Sequence, residues 1–142
     1  MRTLLAFALL TLPGFAAPVP KELKQTPRDR LQGRWVIVTM DTGGGQKVQD
    51  GDFAGFTLTI EGDKLSTATT GGAGYNKVTV VCDLDAKPMR VDVKAETSTT
   101  PGIFKFEDGQ LYWCHAQQNA AAPTEFKGGN GCHCFIWKRA GK

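Results

Sequence analysis

The residues best suited to chemistry in this 142-residue chain are four cysteines and two histidines, most of them near the C-terminal end. Cys114-His115 and Cys132-His133-Cys134 form two tight groups, and Cys82 stands alone upstream. Thiols and imidazoles in this company point to two chemistries, disulfide cross-linking and tetrahedral metal binding. Four cysteines allow three pairings. Cys132 and Cys134 lie two apart on one expected strand, so their side chains project the same way about 7 Å apart, which suits no bond between them. Both remaining pairings tie the last strand to earlier ones. Disulfides drawn from Cys82, Cys114, Cys132 and Cys134 are the expectation for an exported chain.

A mixed metal site meets an obstacle in strand parity. On regular strands Cys114 shares a face with Tyr112, and His115 shares the other with Trp113. Cys132 and Cys134 take one face, while His133, Phe135 and Trp137 take the other. Thiols and imidazoles then point to opposite sides of the sheet, and no metal ligand set is assigned. Catalysis is no better supported. Ser66 and Ser98 sit in Thr-rich polar stretches without a sharp nucleophile turn. Asp83, Asp85 and Asp92 fit loop and outer-face positions rather than a carboxylate pair. The Gly-rich segments precede no helix and carry no Gly-Lys-Ser/Thr, so a phosphate loop is not expected. The reading is of a non-enzyme with no catalytic residue and no cofactor.

The histidines and aromatic residues make a different set. Trp35, Phe56, Phe104, Phe106, Trp113 and Trp137 fall on the apolar phase of their segments, joined there by His115 and His133. On a closed sheet these eight would point inward and line a ligand cavity. The plainer alternative is a filled core, since a barrel of about eight strands is just wide enough to fill itself or to hold one small ligand.

The elements that must position these residues are mostly strands. Residues 1–16 read as a secretory signal: Arg2, then an apolar run of about ten residues over 3–12, too short to span a bilayer, then small residues before a cut after Ala16. Residues 17–27 read as a tether, and 28–140 as one barrel domain. A short helix opens the domain, with Thr26 as N-cap, Pro27 at the first turn, Asp29 near the positive end, Leu31 docking on the core and Gly33 ending it. Beyond Arg34 the period is two. Phe56, Leu58 and Ile60 alternate with polar residues, as do Met89, Val91 and Val93, and Phe104 and Phe106 flank Lys105. Further strands are expected at 35–40, 64–69, 77–82, 110–115 and 132–138, making about eight. The breaks carry turn chemistry, as in Glu61-Gly62-Asp63, Glu107-Asp108-Gly109 and Gly128-Gly129-Asn130-Gly131. Hairpin-linked strands without helical crossovers imply an antiparallel up-and-down meander. Closing it into a barrel removes its edges.

Charge narrows the partners. A net charge of +3, with Lys and Arg scattered singly, offers no basic stripe for nucleic acid. No segment beyond the signal is apolar enough for membrane insertion after cleavage.

A resemblance emerges from these residues taken in order. Leu31-Gln32-Gly33-Arg34-Trp35 opens the first strand, Asp83-Leu84-Asp85-Ala86-Lys87-Pro88 precedes 89–93, and Gly102-Ile103-Phe104 leads through an acidic Gly turn to Leu111. Pro123-Thr124-Glu125-Phe126 and a closing Lys138-Arg139 complete the set. Together, over about 28–139, they resemble a lipocalin-like domain family expanded in planctomycete bacteria. The resemblance implies a lipocalin-like barrel in an uncharacterised, usually exported protein, with no catalytic residues to carry over. It further implies that Trp35 packs at the closed end under a late basic residue, Lys138 or Arg139. Cys132, His133 and Cys134 replace the family's usual aliphatic run, which implies an extra local cross-link. The functional expectation is a small apolar or amphipathic ligand inside the barrel. The alternatives are a filled barrel that binds another envelope protein through its loops at 41–52 or 116–131, and metal binding through the C-terminal Cys/His cluster.

Overall fold

The structure, a computed structural model, describes residues 25–43, 47–49, 55–69 and 76–141. The expected signal at 1–16, most of the tether, and 44–46 and 50–52 of the loop at 41–52 lie outside the described residues. In chain order the elements are helix α1 (Pro27–Leu31) and strands β1 (Gly33–Asp41), β2 (Lys47–Gln49), β3 (Thr57–Glu61), β4 (Lys64–Ala68), β5 (Val78–Asp83), β6 (Arg90–Lys94), β7 (Thr99–Glu107), β8 (Gln110–His115) and β9 (His133–Arg139). Every pairing is antiparallel, and from β3 to β9 each strand pairs with the next. β1 pairs with both β3 and β9 and so closes the sheet into an all-β barrel.

Two features depart from the sequence reading. β2 pairs only with the far end of β1, from Thr39↔Gln49 to Asp41↔Lys47, and is too short to show a period. β7 begins at Thr99, well ahead of Phe104, and so takes in Pro101 and Gly102. Pro101 is accommodated because it lies beside the end of β8, where the Gly102↔His115 pair is the last in register. Its missing N–H therefore costs one bond at a strand end rather than one inside a ladder.

The α1 end of the barrel is solid. Thr26 and Asp29 form a reciprocal capping box, and the bonds from Thr26 hold the Asp29 carboxyl below its ordinary range. Gln32, not Gly33, caps the C-terminal end, and Gly33 instead begins β1 with φ +106°. A Cβ at Gly33 would press on the Arg139 guanidinium. That guanidinium lies 4.0 Å from the Trp35 ring centroid and donates to the carbonyls of Arg30, at 2.6 Å, and Gln32. Of the two late basic residues, Arg139 is thus the one over Trp35. Arg30 covers Phe106 in the same way, also at 4.0 Å. Trp35 Nε1 donates to the Leu31 carbonyl at 2.9 Å, so α1 is locked down as a plug. Leu31 of α1 is buried, as are Trp35, Val91, Phe104 and Leu111 in the core it joins. Burial of a side chain such as Leu31 stabilises by about 1.5–3 kcal/mol.

Candidate ligand-binding cavity

The other end of the barrel is not filled. A cavity of about 140 Å³ opens there, lined by Phe56, Leu58, Leu65, Thr67, Val93, Thr100, Trp113, His115, Phe135 and Trp137. Its volume is close to the roughly 150 Å³ of an engineered apolar cavity that takes benzene. Leu58, Leu65, Val93, Trp113 and Trp137 are buried and form the floor, while Phe56, Thr67, His115 and Phe135 are half-buried and mark the mouth.

One wall is a ladder of rings. Phe56 stacks on Trp137 at 5.7 Å between centroids, Trp137 on Phe135 at 5.6 Å, and Phe135 on His115 at 5.3 Å. The Phe135 and His115 planes lie within 9° of parallel. His133 meets His115 edge-on at 5.6 Å. Register explains the ladder. Trp113↔Phe135 and His115↔His133 are directly opposed across β8 and β9, and two-residue spacing puts all four on the inner face.

Besides the Thr67 and Thr100 hydroxyls, two ring nitrogens matter to the polarity of the wall. The Trp137 indole N–H is buried without an acceptor among the described residues, a state that costs about 1–3 kcal/mol. His115 Nδ1 lies 3.2 Å from the Ala116 carbonyl. That carbonyl is left for His115 by Pro101. Ala116 N donates to Pro101 O at 2.9 Å, but Pro101 has no N–H to return the bond. Nδ1–H therefore donates to Ala116 O, and the lone pair of the neutral ring falls on Nε2. Burial, against the Ala116 carbonyl bond and reinforced by His133, holds the His115 pKa below the ordinary imidazole value of 6.5. Gly102 serves the same wall. A Cβ there would lie 3.1 Å from Trp113 Nε1 and 2.8 Å from the Cys114 carbonyl, so only glycine lets the indole close on β7.

The expected pocket residues thus divide. Phe56, Trp113, His115 and Trp137 line the cavity, and His133 stands exposed at its rim. Trp35, Phe104 and Phe106 do not line it. They fill the plugged end, where Phe104 and Phe106 pack edge-on at 6.0 Å and Trp35 lies 6.1 Å from Phe106. Parity put them inside the barrel but was silent about which end. Phe135 shares the parity of Trp137 and was the legible omission. Leu58, Leu65, Thr67, Val93 and Thr100 carried no signal beyond their inward phase.

The cysteines lie apart from the cavity. Cys114 and Cys134 are directly opposed and form a disulfide on the outer face, with Cα atoms 4.0 Å apart. Cys82 and Cys132, the other two candidates for a disulfide, are free thiols, which corrects their place in that set. Cys82 lies by the plugged end, where it senses Arg28 and Asp92, and Cys132 lies by Asp41 at the opposite end of β1. The length of the barrel keeps them apart. Burial raises both thiols above their ordinary pKa, so both are protonated and poorly nucleophilic at neutral pH. The thiols and imidazoles of the C-terminal cluster part across the sheet, and among the described residues no three or more His, Cys, Asp or Glu gather to hold a metal ion.

The segment between β8 and β9 folds over this outer face. Asn119 exchanges bonds with Thr99 at 2.7 and 3.1 Å, and Lys105 Nζ sits over the rings of Tyr112, at 4.9 Å, and Phe126, at 5.1 Å. Ile103 and Cys114 are buried under it although they face outward. Among the described residues the exposed large hydrophobic is Val81 on β5; most of the 41–52 loop expected to carry an interaction patch lies outside the residues whose side chains are described.

Fold and cavity together define a class: a closed antiparallel barrel, plugged by a helix at one end and hollow and aromatic-walled at the other. No family model matches the chain, and neither does any curated protein. Among solved structures it is similar to a crystal structure of a single-substitution mutant of the fluorescent protein UnaG, at 16% identity and a TM-score of 0.45, covering 81% of this chain and 99% of that one. A likeness this distant transfers no ligand and no residue role.

Proposed function

We propose that this is an exported, non-enzymatic lipocalin-like barrel that binds a small, mostly apolar ligand at its open end. The cavity carries the reading. Its wall is almost wholly hydrophobic, four of its ten lining residues are Phe or Trp, and it lies at a barrel mouth, where ligand sites concentrate. A ligand that fits is about one ring in size. Export is supported by the apolar leader and by the Cys114–Cys134 bond, which persists in oxidising compartments. Among the described residues no helix is long and apolar enough to cross a membrane.

Trp113 and Trp137 in the cavity wall make the test direct. Toluene, naphthalene and larger apolar probes titrated into the protein should change tryptophan emission saturably, most strongly for the one-ring probe. Trp137→Phe should remove most of the change. Emission unmoved by every probe would contradict the proposal.

A further inference from the structure

The wall of the cavity has a polarity that its apolar character does not require. A container for hydrocarbons needs no imidazole among its lining residues, yet His115 is held in the ring ladder between Phe135 and His133. Its orientation is set from two sides. Phe135 fixes the plane by stacking, and the Ala116 carbonyl takes Nδ1–H. Pro101, which has no N–H, does not compete for the same carbonyl. Three sequence features converge on one outcome, a neutral imidazole whose remaining polar atom is an acceptor. No described protein group bonds to Nε2. The facing groups leave it neutral. His133 on β9 is the titratable residue opposed to it, β7 presents Gly102 and Thr100, and β9 adds Phe135. An acceptor prepared at the edge of a one-ring apolar cavity calls for a ligand with a matching donor.

We propose that the cavity selects a planar, uncharged one-ring aromatic bearing an O–H or N–H, stacked against the Phe135–Trp137 wall and donating its hydrogen to Nε2 of His115. The selection rests on the ligand-binding reading above and narrows it. Planarity follows from the wall, because flat rings meet an aromatic ladder in offset-stacked or edge-on contact. Charge is disfavoured because the described lining residues carry no group that is charged at neutral pH. The donor requirement follows from the tautomer. A bound molecule with no donor leaves the Nε2 lone pair beside it without a partner, at the expense of affinity.

Phenol and toluene test this, since they share a ring and differ by one donor. Affinities are measured by calorimetry on the intact protein and on His115→Phe, which keeps a ring on Phe135 but removes the acceptor. The ratio of phenol to toluene affinity should fall about tenfold in the variant, the loss of roughly one hydrogen bond. The unmodified protein supplies a second measurement independent of the variant's folding. Phenol affinity should weaken as pH falls through the imidazole range, because imidazolium has no lone pair, while toluene affinity stays level. A ratio unchanged in His115→Phe, or phenol and toluene affinities that move together with pH, would overturn the donor requirement while leaving the cavity a ligand site. If neither compound binds, the ligand-binding reading itself falls.

Discussion

At the scale of single residues, the molecule sets its two histidines and four cysteines to separate tasks by strand parity alone. The side chain most tightly specified is His115. Because the fold favours its neutral form, the unfolded chain binds the proton more strongly. The contribution of His115 to stability is therefore complete above pH 6.5 and is lost as pH falls below it. Urea midpoints from about pH 7.5 to about pH 5 should show that decline, and His115→Phe should flatten it. Arg139 makes the second residue-scale prediction. It combines a ring contact with two carbonyl bonds, so Arg139→Ala should cost about 1–3 kcal/mol in chemical denaturation. Lys at the same position should restore only part, since a single ammonium does not reproduce the planar fork. Much of this was legible from sequence. Alternation put Cys114 and Cys134 on one face and His115, His133 and Trp137 on the other. It could not say which cysteines lie at the same height, and height is what leaves Cys82 and Cys132 unpaired.

At the scale of elements, α1 and β7 decide where the barrel is solid and where it is hollow. The five residues of α1 are too few to hold a helix by themselves, so it depends on its capping box and on Leu31. Leu31→Ala should cost about 2–5 kcal/mol, and Thr26→Ala about 1 kcal/mol, both read from thermal or urea unfolding. β7 works by subtraction. Pro101 withholds a donor and Gly102 withholds a side chain, and each omission is filled by a group of the cavity wall. Gly102→Ala should both destabilise the fold and weaken toluene binding. Its Cβ would meet backbone carbonyls of Cys114 and Val91, at 2.8 and 3.1 Å, which cannot swing aside as a side chain would. The first half of β7 was not legible for a physical reason: Thr99-Thr100-Pro101-Gly102 carries no apolar alternation, and pairing with β6 and β8 is what makes it strand. The helix was plainer, because Thr26, Pro27 and Asp29 bear a cap signature that needs no tertiary contact.

At the scale of the whole molecule, closure brings residues far apart in sequence into one wall, with Phe56 from before β3 stacked on Trp137 of β9. That step is the least visible in a linear reading, because phase names the inner face without saying how far along the barrel axis each residue sits. Trp35, Phe104 and Phe106 have the same inward phase as the cavity residues, yet the bottom of the barrel claims them for packing. The Cys114–Cys134 bond ties β8 to β9 and encloses a loop with a sequence separation of 20, for which chain entropy gives a stabilisation of about 3 kcal/mol. Reduction should lower the unfolding midpoint accordingly. Thiol titration of the denatured, unreduced protein should find two reactive groups, Cys82 and Cys132.

The central claim is that the open end of the barrel is a ligand cavity rather than a packing defect. A crystal of the protein equilibrated with toluene addresses it directly. The predicted result is ordered ring density among Leu65, Phe135 and Trp137, with the wall otherwise unmoved. A structure in which those side chains close over the space, or in which toluene appears only at the surface, would contradict the account.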